Sequence, residues 1–369
     1  MKKRIGIVTF HGSHNYGSVL QTYALCQTLS KMGLEPVVVN FVHPAGVLMY
    51  EFVLWSRKRT LRSNIYNLLF RGLLRDGAKR RNNFHEFVQN EIPLTKRYFE
   101  RKEITEHFDY LVCGSDQIWN PDAVDSRDMI YFLDFGDKDT IRFSYAASSG
   151  SREFLQEEKG KIKELLSRMK GIGVREEFMK DYLNEEYNLN SIVNPDPTIL
   201  LSASEWDNIE LPVLNLPNRY LLVYSLHNPK ETVEFAKDIS QHLDLPVVHI
   251  NTLDNRGKNI CKDADYSLFD ISPYQYLWLF HHAEFVVSNS FHGNMFSVIF
   301  RKPFVCFEGE QGDTRIVTLH NKLGLGNSRI LSSARDFTID LKILDYSSRE
   351  NIIEEFIKSG LDYISQCIS

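Results

Sequence analysis

The strongest candidate for chemistry is His292, in the string SNSFHGN at residues 288–294. A predicted strand, EFVVS, ends at Ser288, and His292 and Gly293 then open a predicted helix. The macrodipole of a helix N-terminus disfavours a charged imidazole unless an anion lies nearby. Beside a bound phosphate or carboxylate, His292 can stay protonated and serve as a general acid, so we interpret it as catalytic rather than structural.

Two arginines are candidates for binding that anion. Arg175 ends a short apolar strand in GIGVREE and precedes a predicted helix. Its guanidinium can meet a carboxylate or phosphate with two parallel hydrogen bonds, or it can pair with Glu176, Glu177 or another carboxylate nearby. Arg315, in the string GDTRI, opens a later helix and is a second candidate. The alternative for Arg315 is an ordinary surface charge.

Two polar loops follow predicted strands and suit a saccharide. The loop HGSHNYGS at 11–18 offers side chains that can hydrogen-bond sugar hydroxyls or cap the next helix: His11, His14, Asn15 and Tyr16. The loop CGSDQIWNP at 113–121 places Ser115, Asp116 and Gln117 close to an aromatic ring, Trp119. In the alternative interpretation, Asp116 caps a helix and Trp119 lies in the core. Both loops are expected at the carboxyl edge of a sheet, where open α/β folds bind ligands.

Short apolar strands and helices alternate to position these residues. The strand RIGIVTF, a glycine-bearing loop, a helix ending near Gly33 and the strand PVVVNF form a βαβ unit, which predicts a parallel sheet. The first loop has Gly12 and Gly17 but lacks the spacing of a dinucleotide fingerprint. Further strands are predicted at 109–113 and 142–147.

A second alternation begins at residue 219, after the extended connector SIVNPDPTILLS at 191–202. In that connector Asp196 lies between two prolines, which is typical of a rigid turn, and we interpret it as structural. The predicted fold class is α/β, with two Rossmann-like domains facing each other across a cleft. The predicted divisions are 1–200, 201–347 and a C-terminal helix, 348–369, that packs back across both domains.

Composition and charge exclude several classes of protein. The 369 residues are enough for two domains, and the net charge of −5 gives no general attraction to nucleic acid. Five scattered cysteines form no CxxC pair, which argues against a zinc–cysteine site or a disulfide framework and fits a reducing compartment. No apolar run approaches a membrane span, and no signal peptide is apparent, so a cytoplasmic location is predicted.

A basic stretch interrupts the alternation. Residues 57–81 carry nine basic residues and one acidic residue, with leucines and Ile65 on roughly one helical face. The ordinary interpretation is a helical hairpin whose apolar face packs on the domain while its arginines reach solvent. The other interpretation is peripheral contact with an anionic membrane surface.

Taken together, these strings resemble the polysaccharide pyruvyl transferase family over most of the chain. The resemblance is carried by NYGSVLQTYAL, YLVCGSDQIWNP, SYAASSG, VREEFMKDYL, NPDPTILL and SNSFHGNMFSVIFRKPFV. Residues 44–105 carry little of it and are predicted to be an acceptor-specific helical insertion. The family usually has Asp where this chain has Asn289, so, if that position orients the histidine, it would do so here without charge.

The resemblance implies a glycosyltransferase-B-like fold and a reaction. Phosphoenolpyruvate would donate its pyruvyl group to a sugar diol of a surface-polysaccharide precursor, giving a cyclic pyruvate ketal and phosphate. The family's catalytic histidine and arginine fall on His292 and Arg175. The donor is then expected to be bound by Ser290, Gly293, Asn294 and Arg315, and the acceptor by His14, Asn15, Tyr16, Ser115, Asp116 and Gln117. No metal or resident cofactor is expected.

Two other functions remain open from sequence. A glycosyltransferase of the same two-domain shape would use His292 and the arginines to bind a nucleotide-sugar diphosphate. A non-catalytic scaffold in polysaccharide assembly is the other alternative, although His292 and Arg175 argue mildly against it. The acceptor can be free or lipid-linked; in the second case the basic stretch would lie near the membrane.

Overall fold

The computed structural model describes residues 2–42, 71–124, 129–252, 261–308, 313–331 and 344–369; for 71–77 and 327–328 it describes the backbone alone. Most of the basic stretch at 57–81 and much of the predicted insertion at 44–105 therefore lie outside the described residues. Within the described part, no helix is both long enough and apolar enough to cross a bilayer.

The first half of the chain builds a six-stranded parallel sheet in the order β2-β1-β3-β4-β5-β6. Its strands are β1 (Arg4–Val8), β2 (Glu35–Val38), β3 (Tyr110–Cys113), β4 (Ile141–Ala147), β5 (Gly171–Val174) and β6 (Ile192–Val193). Its helices are α1 (Tyr16–Lys31), α2 (Arg71–Glu91), α3 (Lys159–Leu166) and α4 (Glu177–Tyr187). The predicted βαβ unit is β1, α1 and β2.

The second half builds another six-stranded parallel sheet, ordered β12-β11-β10-β7-β8-β9. Its strands are β7 (Leu221–Tyr224), β8 (Val247–Ile250), β9 (Tyr266–Leu268), β10 (Phe285–Ser288), β11 (Phe304–Phe307) and β12 (Ile330–Leu331). Its helices are α5 (Ala203–Asp207), α6 (Pro229–Leu243), α7 (Pro273–His282), α8 (Phe291–Ile299), α9 (Thr314–Lys322) and α10 (Glu350–Ile368). The exact domain boundaries stay a prediction.

Helix α1 is buried along most of its length because it packs between the two halves. Asn15 caps it: the side-chain oxygen accepts a hydrogen bond from the Gly17 N–H at 2.9 Å. Tyr16 then stacks on Tyr276 of α7, with centroids 4.5 Å apart, and its hydroxyl donates to the Ile271 carbonyl. The first turn of α1 is thereby fixed against the second half of the chain.

The C-terminal helix α10 contacts both halves. The Tyr363 hydroxyl donates to the Ser144 carbonyl in β4 at 2.9 Å. At the other end of the helix, Arg301, which follows α8, donates to the Glu350 carboxylate at 2.6 Å. The connector predicted to be extended is partly helical, because Pro197–Leu200 form a 3₁₀ turn capped by Asp196.

Candidate functional site

His292 lies in the first turn of α8, directly beyond the carboxyl end of β10. Ser290 caps this helix, and its hydroxyl accepts a hydrogen bond from the Gly293 N–H at 3.4 Å. His292 is 7% exposed, so its ring is almost fully enclosed. The strand-to-helix placement predicted from sequence is therefore confirmed.

One side of the His292 ring lies against Gly17 at the start of α1. A Cβ atom added to Gly17 would collide with the ring, and the atom nearest to it would be Nδ1. Any side chain at position 17 would displace the imidazole or push the two helices apart. Gly17 is thus required by the close approach of two helix N-termini.

The other ring nitrogen faces a buried carboxylate. The His292 Nε2 atom lies 3.5 Å from Oδ2 of Asp196. The same Oδ2 accepts hydrogen bonds from the Ser115 hydroxyl at 2.7 Å and from Arg175 NH1 at 3.2 Å. The second oxygen of Asp196 caps the 3₁₀ turn by accepting from the Thr198 N–H and hydroxyl. Asp196 therefore joins the predicted catalytic histidine to the predicted catalytic arginine.

Arg175 is a buried arginine with donors to spare. Arg175 directly follows β5. Its guanidinium lies over the Phe291 ring, with the central carbon 4.5 Å from the ring centroid. NH1 is bonded to Asp196, but Nε and NH2 have no hydrogen-bond partner among the described residues. Buried unpaired donors destabilise a fold by about 1–3 kcal/mol each. Free donors on a buried cation are suited to bind an anion.

The carboxyl group of Asp196 has a strongly perturbed pKa. Burial alone raises the pKa, but His292, Arg175 and Ser115 outweigh that effect and hold it well below its usual range. Asp196 is therefore ionised at neutral pH. The fixed negative charge lies beside Nε2 of His292, where it can orient the imidazole.

Further charged groups surround Arg175. Arg315, in α9, is held by Asp313, whose Oδ1 accepts from the arginine Nε at 2.8 Å. Glu176 is fully buried, accepts from Ser148 and Ser149, and keeps Oε2 without a partner among the described residues. Burial raises the pKa of Glu176, although Arg175 and Arg315 oppose the shift. Burial likewise raises the pKa of Glu308, at the end of β11, to about 7.

Two of the predicted donor-binding residues, Gly293 and Asn294, make close contacts within the protein. Gly293 is packed so tightly that an added Cβ would collide with Ser288. Asn294 is fully buried; its amide donates to the Ser290 carbonyl at 2.8 Å and its oxygen pairs with His320. These contacts give Gly293 and Asn294 a part in holding α8 in place.

Most of the predicted acceptor-binding residues have side chains that already make contacts within the protein. Asn15 caps α1, Tyr16 is buried between the halves, and Ser115 is bound to Asp196, so their side chains are already used. Asp116 has a positive φ of 79° and accepts a hydrogen bond from Ser18. Its other oxygen accepts from the Gln117 N–H at 2.8 Å.

His14 lies in a region of positive charge. Burial first, and then Arg80, Arg81 and His85, lower its pKa to about 4. The imidazole is therefore neutral at physiological pH, and it can donate or accept a hydrogen bond.

Several interpretations made from sequence require correction. Asp196, predicted to be only a turn residue, contacts both His292 and Arg175. Asn289 does not contact His292; its side chain bonds Leu226, Ser225 and His227 in the loop after β7. Trp119 is a core residue, 1% exposed and stacked on Phe132, so it offers no face to a sugar.

The family model described as polysaccharide pyruvyl transferase matches residues 15–310. The chain belongs to the polysaccharide pyruvyl transferase family. The match begins at Asn15, the cap of α1, and spans β3, the Arg175 segment, Asp196 and His292. It confirms the resemblance inferred from the motifs and makes this protein a transferase of polysaccharide biosynthesis. A search of curated proteins gave no match in sequence.

Several solved structures are similar to this chain at low sequence identity. The UDP-GlcNAc 2-epimerase from Neisseria meningitidis, solved with UDP-GlcNAc, is 10% identical with a TM-score of 0.50, over 100% of this chain and 99% of that one. The glycosyltransferase SnogD from Streptomyces nogalater is 11% identical with a TM-score of 0.45, over the whole of both chains. The UDP-GlcNAc 2-epimerase from Methanocaldococcus jannaschii is 12% identical with a TM-score of 0.41, over 98% and 93%. The predicted glycosyltransferase-B-like fold of two parallel α/β sheets is confirmed.

Proposed function

We propose that this transferase moves the pyruvyl group of phosphoenolpyruvate onto a sugar diol of a surface-polysaccharide precursor. The products are a cyclic pyruvate ketal and inorganic phosphate. The observation that carries the proposal is the buried guanidinium of Arg175, which has two unpartnered nitrogens and shares Asp196 with His292. Membership of the family supports pyruvyl transfer. Phosphoenolpyruvate as the donor and a cyclic ketal as the product are our inference.

Phosphoenolpyruvate suits the charge of this region. It carries a carboxylate and a phosphate, and Nε and NH2 of Arg175 can donate in parallel to one such group. The N-terminus of α8 and Arg315 are further sites of positive potential for the other group. Before the donor enters, Asp196 partly balances the positive charge of Arg175. This ion pair holds the buried guanidinium in place.

His292 would act as the general acid. It protonates the methylene carbon of the donor, and the neighbouring carbon becomes electrophilic toward a first sugar hydroxyl, which loses its proton as the new C–O bond forms. The second hydroxyl then attacks the same carbon and the C–O bond to phosphate breaks. One hydroxyl proton restores His292 and the other leaves with phosphate. General acid catalysis contributes typically ~10²–10⁴ in rate.

Asp196 would position that acid. The separation of 3.5 Å exceeds an ordinary N–H···O distance of about 2.7–3.2 Å, so the Nε2 proton is attracted without being held in a short bond. A positioned carboxylate thus orients the ring while leaving its proton transferable. His14 and Gln117 are the predicted acceptor residues that we retain, because the side chains of the others are already used. These others are Asn15, Tyr16, Ser115 and Asp116.

The proposal is tested by transfer from a labelled donor. Purified protein is incubated with phosphoenolpyruvate labelled in its pyruvyl carbons and with a panel of cell-surface oligosaccharides, free and lipid-linked. We expect label in a saccharide and an equal amount of released phosphate, both abolished in His292→Ala. Transfer of a sugar from a nucleotide sugar, with no label from phosphoenolpyruvate, would instead establish a glycosyltransferase.

A further inference from the structure

A cluster of metal-ligating side chains lies at the junction between α5 and the end of α7. Asp207 is the last residue of α5, Glu210 follows it by three residues, and His281 and His282 are the last two residues of α7. Glu210, His281 and His282 offer ligand atoms that all lie within 4.8 Å of one another. The proposed transfer chemistry uses none of these residues.

A single imidazole nitrogen in this cluster faces two carboxylates. The His281 Nδ1 atom lies 3.0 Å from Oδ1 of Asp207 and 3.1 Å from Oε2 of Glu210. One N–H can direct its proton well toward only one of two acceptors, so a hydrogen bond alone does not satisfy both carboxylates. The charges of Asp207 and Glu210 both act on the ammonium group of Lys302.

The spacing of the ligand atoms suits a tetrahedral ion. Zinc bonds nitrogen and oxygen at about 2.0–2.2 Å, so neighbouring ligands of a tetrahedron lie roughly 3.3–3.6 Å apart. The distance of 3.1 Å from His281 Nδ1 to Oε2 of Glu210 falls just below that range. The distance of 3.9 Å from His282 Nδ1 to Oε1 of the same carboxylate falls just above it. The ligand atoms of the three residues lie within 4.8 Å of one another, so they would draw together by up to about 1 Å to hold the ion.

Aromatic stacking holds both imidazoles in place. The His281 ring stacks on Phe300 with centroids 4.8 Å apart, and the His282 ring stacks on Trp278 at 4.4 Å. The Glu210 side chain is only 14% exposed. His282 Nδ1 now pairs with the Trp278 carbonyl at 3.0 Å, so binding a metal would exchange that contact for a bond to the ion.

We propose that Glu210, His281 and His282 form a zinc site. Two imidazole nitrogens and one carboxylate are ligands that Zn²⁺ accepts, with a water molecule in the fourth position. The ion would tie the segment after α5 to the last turn of α7. It would thereby stabilise the packing of these two parts of the second half without taking part in pyruvyl transfer.

The test is titration of Zn²⁺ into chelator-treated protein, followed by calorimetry and by thermal unfolding. We expect one high-affinity zinc per chain and a rise in melting temperature, because an ion that binds only the folded state stabilises it by mass action. His281→Gln and Glu210→Gln are each expected to weaken this binding at least tenfold. Circular dichroism without metal shows that each variant folds.

The matched control is His107→Gln, which removes a histidine paired with one carboxylate, Asp137, at 2.6 Å. It is expected to leave zinc affinity unchanged. The proposal is overturned if the wild type binds no stoichiometric zinc. It is equally overturned if zinc binds with the same affinity to wild type, His281→Gln and Glu210→Gln, since the ion would then lie elsewhere.

Discussion

At Asp196, groups from three separate segments meet one carboxylate oxygen. Ser115 follows β3, Arg175 follows β5 and His292 opens α8, yet all three face Oδ2. His292 and Arg175 could be selected from sequence because each follows a strand and precedes a helix. Asp196 could not, because the prolines beside it explain a turn just as well. Its role depends on the two halves of the chain coming together.

Replacing Asp196 by Asn is predicted to lower turnover. The amide keeps the shape of the side chain but removes the charge that orients the imidazole of His292. We expect a fall in kcat of about 10²-fold, within the usual contribution of general acid catalysis. The measurement is steady-state phosphate release, with Asp122→Asn as the control at an exposed carboxylate paired with Arg152. Unchanged kcat in Asp196→Asn would contradict the positioning role.

The same substitution is predicted to change how stability depends on pH. Because the folded-state pKa of Asp196 is depressed, its ionisation stabilises the fold fully above the unfolded pKa, about 3.9. That contribution is lost as the pH falls below this value. Urea unfolding should therefore show a larger gap between wild type and Asp196→Asn at pH 6 than at pH 3. An equal gap at both pH values would refute the depressed pKa.

At the scale of elements, the N-termini of α1 and α8 approach each other through Gly17 and His292. The alternation of apolar strands and helices predicted β1, α1, β2 and the placement of α8, since each has its own period and end signals. It did not predict that two helix starts would touch. The contact joins elements about 275 positions apart, and no local pattern encodes such a pairing.

Gly17→Ala is predicted to be selectively harmful to activity. In a free helix, alanine would stabilise by up to about 1 kcal/mol relative to glycine. Here the new Cβ would strike the His292 ring, so we expect kcat to fall at least tenfold while the protein stays folded. The matched control is Gly12→Ala in the same loop, where an added Cβ meets no atom within 4 Å. Equal activity in both variants, measured by phosphate release, would exclude this role for Gly17.

At the scale of the molecule, helix α2 bridges the two halves. Its Arg80 is buried; NH1 donates to the Asn251 carbonyl at 3.1 Å and NH2 to the His14 carbonyl at 3.2 Å. Sequence predicted the two α/β units correctly, because each alternates in its own stretch of the chain. It assigned the arginines of the basic stretch to solvent, which is wrong for Arg80. A long cationic side chain is ordinarily exposed, and its buried partners are backbone carbonyls that sequence cannot reveal.

Arg80→Leu is predicted to weaken the attachment of the halves. Removing the guanidinium leaves two buried carbonyls without their donor, which lowers the free energy of unfolding by about 2–3 kcal/mol. Lys79→Ala is the control, because its ion pair with Asp270 is exposed and such pairs contribute roughly 0–1 kcal/mol. Denaturant titration of both variants measures the difference. A smaller loss in Arg80→Leu than in Lys79→Ala would contradict the bridging role.

The most direct test of the central claim is ligand-induced thermal stabilisation. The melting temperatures of wild type, His292→Ala and Arg175→Gln are measured while phosphoenolpyruvate or UDP-GlcNAc is titrated, since a ligand of the folded state raises the melting temperature. We predict that phosphoenolpyruvate stabilises wild type, that both substitutions weaken the effect, and that UDP-GlcNAc has none. Stabilisation by UDP-GlcNAc with no response to phosphoenolpyruvate would contradict the proposed donor.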